Sequence, residues 1–224
     1  MRINLRYSQI GWALGTTELE LQTAIATRLR PGDVFYDIGA NVGFFSLLGA
    51  RTVGGAGRVV AIEPVPWHVD ALRHNLAING LANVTVLEAA AAAESGDTEL
   101  LVPSESTSAR LVSARTAVQS GRARRIRARM VMIDDLLREG SIPPPNVVKI
   151  DVEGAELDVL RGMTETLRAH RAVVFCEMHG NNAAFEELMR ELGFEAATLD
   201  GGAVSDGAAT AHTLSTPLGR VGGG

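Results

Sequence analysis

Asp37, Gly39, Asn41 and Gly43 fall in the run DIGANVG, and Glu63 closes a strand-like run that begins at Arg58. Their types and spacing suit a nucleoside. Gly39 and Gly43 remove side chains where the backbone must turn sharply and a ligand must approach it closely. Glu63 follows Gly43 by 20 residues, at the end of what reads as a second strand. A carboxylate there accepts hydrogen bonds from both hydroxyls of a ribose.

What the loop lacks selects the nucleoside. A dinucleotide fingerprint needs G-x-G-x-x-G, so that a pyrophosphate can rest on the helix N-terminus. Here the order is D-x-G-x-N-x-G, with Asp37 two residues ahead of the first glycine. A carboxylate in that place repels a pyrophosphate and suits an ammonium group. S-adenosylmethionine has an ammonium, a sulfonium and a ribose but no phosphate, and is the cofactor expected here.

A second set of candidates lies further along. Asp151 follows the apolar run Val147 to Ile150, Glu177 lies within Val173 to Met178, and His179 comes directly after it. Methyl transfer from a sulfonium is an in-line displacement, and holding the reacting atoms in place is the large contribution, on the order of 7 to 11 kcal/mol. Were the acceptor an alcohol, it would also have to lose its proton, for which a positioned base adds about 10²- to 10⁴-fold. His179 is the expected base, because imidazole titrates near neutral pH. Asp151 would stand beside the cofactor or acceptor, and Glu177 would orient the ring if extended geometry continues to 179. The same three residues could instead hold a divalent metal that lowers the acceptor pKa. No ligand spacing settles that point, and a metal-independent reaction is the expectation adopted.

These residues need a scaffold, and the chain around them alternates strand-like and helix-like segments. Val34 to Tyr36, Arg58 to Ile62, Val84 to Leu87, Val147 to Ile150 and Val173 to Met178 read as buried strands. Thr17 to Arg30 reads as a helix with capping-box spacing between Thr17 and Glu20. Thr17 and Glu18 could reach the cofactor, but capping explains them equally well, so neither is placed in the site. A helix runs from Pro66 to about Leu76, with His68 and His74 expected to face solvent, and another from Gly154 to His170. Phe185 to Leu192 is a helix, Phe194 to Leu199 a strand, and Gly201 to Thr213 a turn followed by a weak strand candidate.

Three of these runs, DIGANVG, AIEPVPWHVDALRHNLAING and VVKIDVEGAELDVLRGM, resemble the FkbM-type S-adenosylmethionine-dependent methyltransferases, with KIDVEGAE the most specific part. The resemblance runs from about Gly32 to Leu199. It implies an α/β class I methyltransferase (Rossmann-like) fold: a mostly parallel seven-stranded sheet, helices on both faces, and an antiparallel last strand. It also implies methylation of a hydroxyl on a small molecule such as a natural product or sugar. In such a fold a carboxylate after the third strand commonly meets the adenine amino group, which makes Glu88 a candidate. Two other classes stay open. A nicotinamide-dependent oxidoreductase would want the missing G-x-G-x-x-G and a second substrate domain. A non-catalytic nucleotide-binding module would keep Asp37 and Glu63 without a base.

Composition narrows the partners. The 224 residues, 46% of them apolar, suit one α/β domain over 1–217. A formal charge of −5 argues against broad binding to nucleic acid or to anionic membranes. Cys176, the single cysteine, reads as a buried strand thiol. No run reaches transmembrane length and the start lacks the unbroken apolar core of a signal peptide, so a cytoplasmic protein is expected. Residues 1–30 would cover the cofactor side. The Ser-rich stretch 103–121 reads as a mobile acceptor-side loop, and 218–224 as a disordered tail. Arg125, Arg127 and Arg129 alternate with Ile126, Ala128 and Met130, which puts the arginines on one face of a strand, expected to be solvated.

Overall fold

The computed structural model describes residues 18–103, 110–111, 123–204 and 211–218. Helix α1 (Leu19–Arg28) leads into β1 (Val34–Ile38), the glycine loop, α2 (Phe44–Val53), β2 (Arg58–Glu63), α3 (Pro66–Ile78) and β3 (Val84–Glu88). An excursion follows, made of β4 (Ala90–Ala91), β5 (Gly96–Pro103), β6 (Arg110–Leu111) and β7 (Ala123–Val131), and then α4 (Ile133–Arg138). The rest of the fold is β8 (Val147–Ile150), α5 (Glu156–Arg161), α6 (Thr164–His170), β9 (Val173–Met178), α7 (Asn182–Glu191), β10 (Phe194–Thr198) and β11 (Ala211–Pro217).

The main sheet has seven strands in the order β10-β11-β9-β8-β1-β2-β3. Neighbours are parallel except β11, which runs antiparallel to both β9 and β10. The inner strands are apolar on both sides because both faces are covered. Tyr36, Ile38, Val148 and Ile150 pack with Met163 and Leu167 on one face. Phe35, Val147 and Phe175 pack with Ile25 and Phe45 on the other. The order turns at β1, which pairs with β8 on one side and β2 on the other. Ligands of open α/β sheets bind outside the strand C-termini at such a switch point.

Register then gathers the polar residues. Asp37 lies opposite Lys149, Lys149 opposite Phe175, and Glu177 opposite His212. Partners across a ladder share a face, so these groups share the face covered by α1 and α2.

Several elements depart from expectation. The helix expected over 154–170 is two helices, α5 and α6. Asp134 explains the break: its backbone N–H donates to the Gly162 carbonyl at 2.9 Å. Its carboxylate accepts the N–H groups of Glu165 and Thr166 and the Thr166 hydroxyl. A new helix N-terminus is thereby capped from another part of the chain. Helix α1 begins at Leu19, after Glu18 in a left-handed conformation (φ 54) that gives no side-chain cap; Thr17 lies outside the described residues. Strand β11 is seven residues long and central to its edge of the sheet, because β9 supplies a partner along its length.

The excursion forms a four-stranded sheet, β4-β7-β5-β6. Arg125, Arg127 and Arg129 are exposed, as alternation requires. Most of the loop expected over 103–121 lies outside the described residues, but Arg110 and Leu111 within it pair with β5. The tail beyond Leu218 also lies outside them. Among the described residues no helix is long and apolar enough to cross a membrane.

Candidate active site

A cleft opens at the C-terminal ends of β1, β2 and β8. Gly39, Asn41, Glu63 and Asp151 line it, together with Ala89 to Ala91, Leu100 and Glu153.

The glycine loop is fixed by contacts that only glycine permits. Gly39 has φ +79, and a Cβ there would lie 1.8 Å from the Asp151 carbonyl oxygen. Gly43 has φ +92, and its Cβ would lie 2.1 Å from the Leu72 side chain. The loop is thus held between β8 and α3. Its rim hangs on Glu63, which is buried: one oxygen accepts the Asn41 N–H at 2.8 Å, and the other accepts the Val65 N–H at 3.1 Å and faces His68 Nδ1 at 3.2 Å. A carboxylate offers about four acceptor positions, so three donors leave room for one strong ribose hydroxyl rather than two. His68, expected to face solvent, is buried because it closes this network; His74 is exposed.

Asp37 does not line the cleft. It is 1% exposed, accepts the Ser46 hydroxyl at 2.6 Å, and faces Lys149 Nζ at 3.9 Å. The ammonium it meets belongs to the protein, because strand alternation turns Asp37 toward α2 rather than toward the loop. Burial pushes its carboxyl up. Lys149 feels the same burial downward, but Asp151 and Asp37 outweigh it and the net shift is upward. Lys149 also donates to Asp151 at 3.1 Å. Glu88 is exposed and 3.8 Å from Arg73, and it too stays out of the cleft. Gly43 shapes the loop without lining it.

Beside Asp151 sits a cluster built from β9, β11 and the turn after β8. His179 Nδ1 is 2.8 Å from Glu156 Oε1; its Nε2 is 3.5 Å from Glu153 and 3.7 Å from Glu177 Oε1. Strand β9 ends at Met178, and the bend at 179 still leaves the ring beside Glu177. The other oxygen of Glu177 is 3.4 Å from His212 Nε2, which is 4.0 Å from Glu18. The hydrogen bond to Glu156, with the charges of Glu156, Glu153 and Glu177, outweighs burial and pushes His179 up to about 9. Three carboxylates facing the ring favour its protonated form, so it should act as a base at higher pH than an ordinary imidazole. His212 is raised as well, chiefly by the Glu177 carboxylate beside it, and Glu18 is raised by burial.

Sequence reasoning missed Lys149, Glu153, Glu156 and His212 as members of this cluster. Lys149 and Glu156 carry a usable signal, since a lone lysine and a glutamate flank the Asp151 loop within KIDVEGAE. His212 carries none, because its place depends on β11 inserting between β9 and β10.

A mostly parallel seven-stranded sheet with an antiparallel β11 and a cleft at its switch point is a class I methyltransferase architecture. The Methyltransferase FkbM domain matches residues 37–198, and the chain belongs to that family. It is 31% identical over 147 residues to hexuronic acid methyltransferase AglP of Haloferax volcanii, covering 66% of this chain and 56% of that protein. It is 29% identical over 194 residues to 31-O-demethyl-FK506 methyltransferase FkbM of Streptomyces tacrolimicus, covering 74% of each. Among solved structures, methyltransferase FkbM from Methylobacillus flagellatus superposes with a TM-score of 0.58 at 17% identity, over 84% of this chain and 44% of that one. That likeness is one of fold. The chain thus spans about half the length of the haloarchaeal relative and of that structure. Family membership sets aside the nicotinamide-dependent oxidoreductase.

Proposed function

We propose that this chain binds S-adenosylmethionine along Gly39 to Gly43, with a ribose hydroxyl on Glu63, and transfers the methyl group to a hydroxyl oxygen of a small molecule. The observation that carries the reading is the shared opening: the glycine loop, Glu63 and Asp151 all border one cleft, with the Glu177–His179 cluster next to it. The acceptor oxygen attacks the methyl carbon, the carbon–sulfur pair returns to sulfur, and the hydroxyl proton leaves toward Asp151, Glu177 and His179. Positioning supplies most of the acceleration and removal of the proton the rest. Asp37 acts through Lys149 and the loop it supports.

The relatives' names point to a sugar acid in one case and a natural product in the other, and a hydroxylated metabolite of either kind is the acceptor class proposed here. Incubation with S-adenosylmethionine and a panel of such compounds, read by mass spectrometry, tests it. A product heavier by one methylene unit is expected. Tight binding of S-adenosylhomocysteine with no methylated product from any acceptor would favour the non-catalytic binding module instead.

A further inference from the structure

We propose that Asp151, Glu177 and His179 hold a divalent cation beside the cleft, in place of the metal-independent reaction adopted as the expectation from the sequence. The cation's part in catalysis rests on the methyltransferase reading; the site itself does not.

One ligand atom from each of the three residues lies within 4.8 Å of the others. A small divalent cation at about 2.1 Å from each holds its ligands roughly 3 to 4.2 Å apart. Short side-chain movements close the difference. The histidine is also set up as a ligand. Its Nδ1–H donates to Glu156 Oε1 at 2.8 Å, and that buried oxygen also receives the Gly154 N–H at 2.8 Å. Fixing Nδ1 on a carboxylate turns Nε2 toward the cluster, which is the support that metal-bound histidines receive. Asp151 is held likewise, by Lys149 at 3.1 Å on Oδ2.

Charge points the same way. The carboxylates of Glu18, Asp37, Asp151, Glu153, Glu156 and Glu177 outnumber the cationic groups that face them, which are Lys149, His179 and His212. Partly buried carboxylates in excess are costly, and a doubly charged ion among them offsets that cost. Two carboxylates and one imidazole form an oxygen-rich set that suits Mg²⁺ or Mn²⁺. Asp151 is the ligand that borders the cleft, and a cation held there would supply Lewis-acid help for loss of the hydroxyl proton.

Manganese titration of the full chain, freed of metal and cofactor, tests the site by electron paramagnetic resonance of free Mn²⁺ and by calorimetry. A single saturable site is expected in the wild type. Glu177→Gln and His179→Gln should abolish it, and Glu156→Gln should weaken it about 10- to 100-fold, with circular dichroism showing each variant folded. No saturable site in the wild type overturns the proposal. So does a site kept within about twofold in both ligand variants, well short of the change that even a supporting residue gives. If a ligand variant fails to fold, the wild-type titration and Glu156→Gln decide. S-adenosylhomocysteine binding on the same samples separates the two readings. Cofactor binding without a manganese site overturns the cation alone, whereas a manganese site without cofactor binding leaves the cation standing and removes the methyltransferase reading.

Discussion

The ammonium of Lys149 lies 3.9 Å from a carboxylate oxygen of Asp37, and the two side chains are 3% and 1% exposed. That oxygen accepts no hydrogen bond among the described residues, so the lysine is its main compensation. The pair also spans the β1–β8 ladder directly below the glycine loop. Removing the lysine leaves a buried, unpaired carboxylate. Lys149→Met should destabilise the fold by about 3 to 5 kcal/mol, read by urea unfolding, and Asp37→Asn in the same chain should restore most of the loss. Unfolding of Lys149→Met at the wild-type midpoint would show that the pair does not hold these strand ends.

Glu63 gives a sharper prediction about the cofactor. With Asn41, Val65 and His68 already on its carboxylate, it can take one ribose hydroxyl well. Glu63→Gln should weaken S-adenosylhomocysteine binding by about 1.5 to 3 kcal/mol, the range for hydrogen bonds to a charged group. It should also lower the melting temperature, because the amide nitrogen faces a donor. Calorimetry with the 2′-deoxy and 3′-deoxy analogues should show a large loss for one and a small loss for the other. Equal large losses would mean that the Val65 or His68 contact yields on binding.

Much of this site was legible in the chain, and the limits have physical causes. Apolar runs marked β1, β2, β8 and β9, since strands buried on both faces are unbroken in hydrophobicity. Gly39, Glu63 and Asp151 stood at the ends of those runs and do border the cleft. Asp37 and Glu88 also stood at strand ends, but strand position does not tell which way an end residue faces. Asp37 turns to α2 and Glu88 to solvent. The split between α5 and α6 was invisible because its cause, Asp134, lies 32 residues before Thr166. His179 was found by position, whereas its protonation depends on Glu156 and Glu153, whose approach comes from the turn after β8.

Asp134 offers a test of stability that leaves the cleft alone. Its carboxylate satisfies two backbone N–H groups and one hydroxyl at the start of α6. Asp134→Ala should cost about 2 kcal/mol, the upper end for loss of a helix cap, and Thr166→Val less, because the backbone bonds remain. Denaturant midpoints give the comparison. Similar values for Asp134→Ala and the wild type would mean that water replaces the cap.

Cys176 is 2% exposed in the middle of the sheet, and burial pushes its thiol well up. It should resist a thiol reagent in the native protein and react at the rate of global opening, since β9 is paired on both sides. Prompt labelling under native conditions would show that β9 opens locally.

His179 ties stability to turnover in a way that two substitutions can separate. Its ring does not line the cleft but reaches it through Asp151 and Glu177, so His179→Ala should leave S-adenosylhomocysteine affinity close to the wild-type value. The same change should lower kcat by about 10²- to 10⁴-fold on any acceptor the wild type methylates, since the group acts when the hydroxyl proton leaves. Alanine also deprives the buried Glu156 of its 2.8 Å partner, so the melting temperature should fall. His179→Gln keeps an amide donor within reach of Glu156 and should recover much of that stability without recovering turnover. If His179→Gln is both as stable and as active as the wild type, the ring serves only to satisfy Glu156, and the acceptor proton leaves by another route.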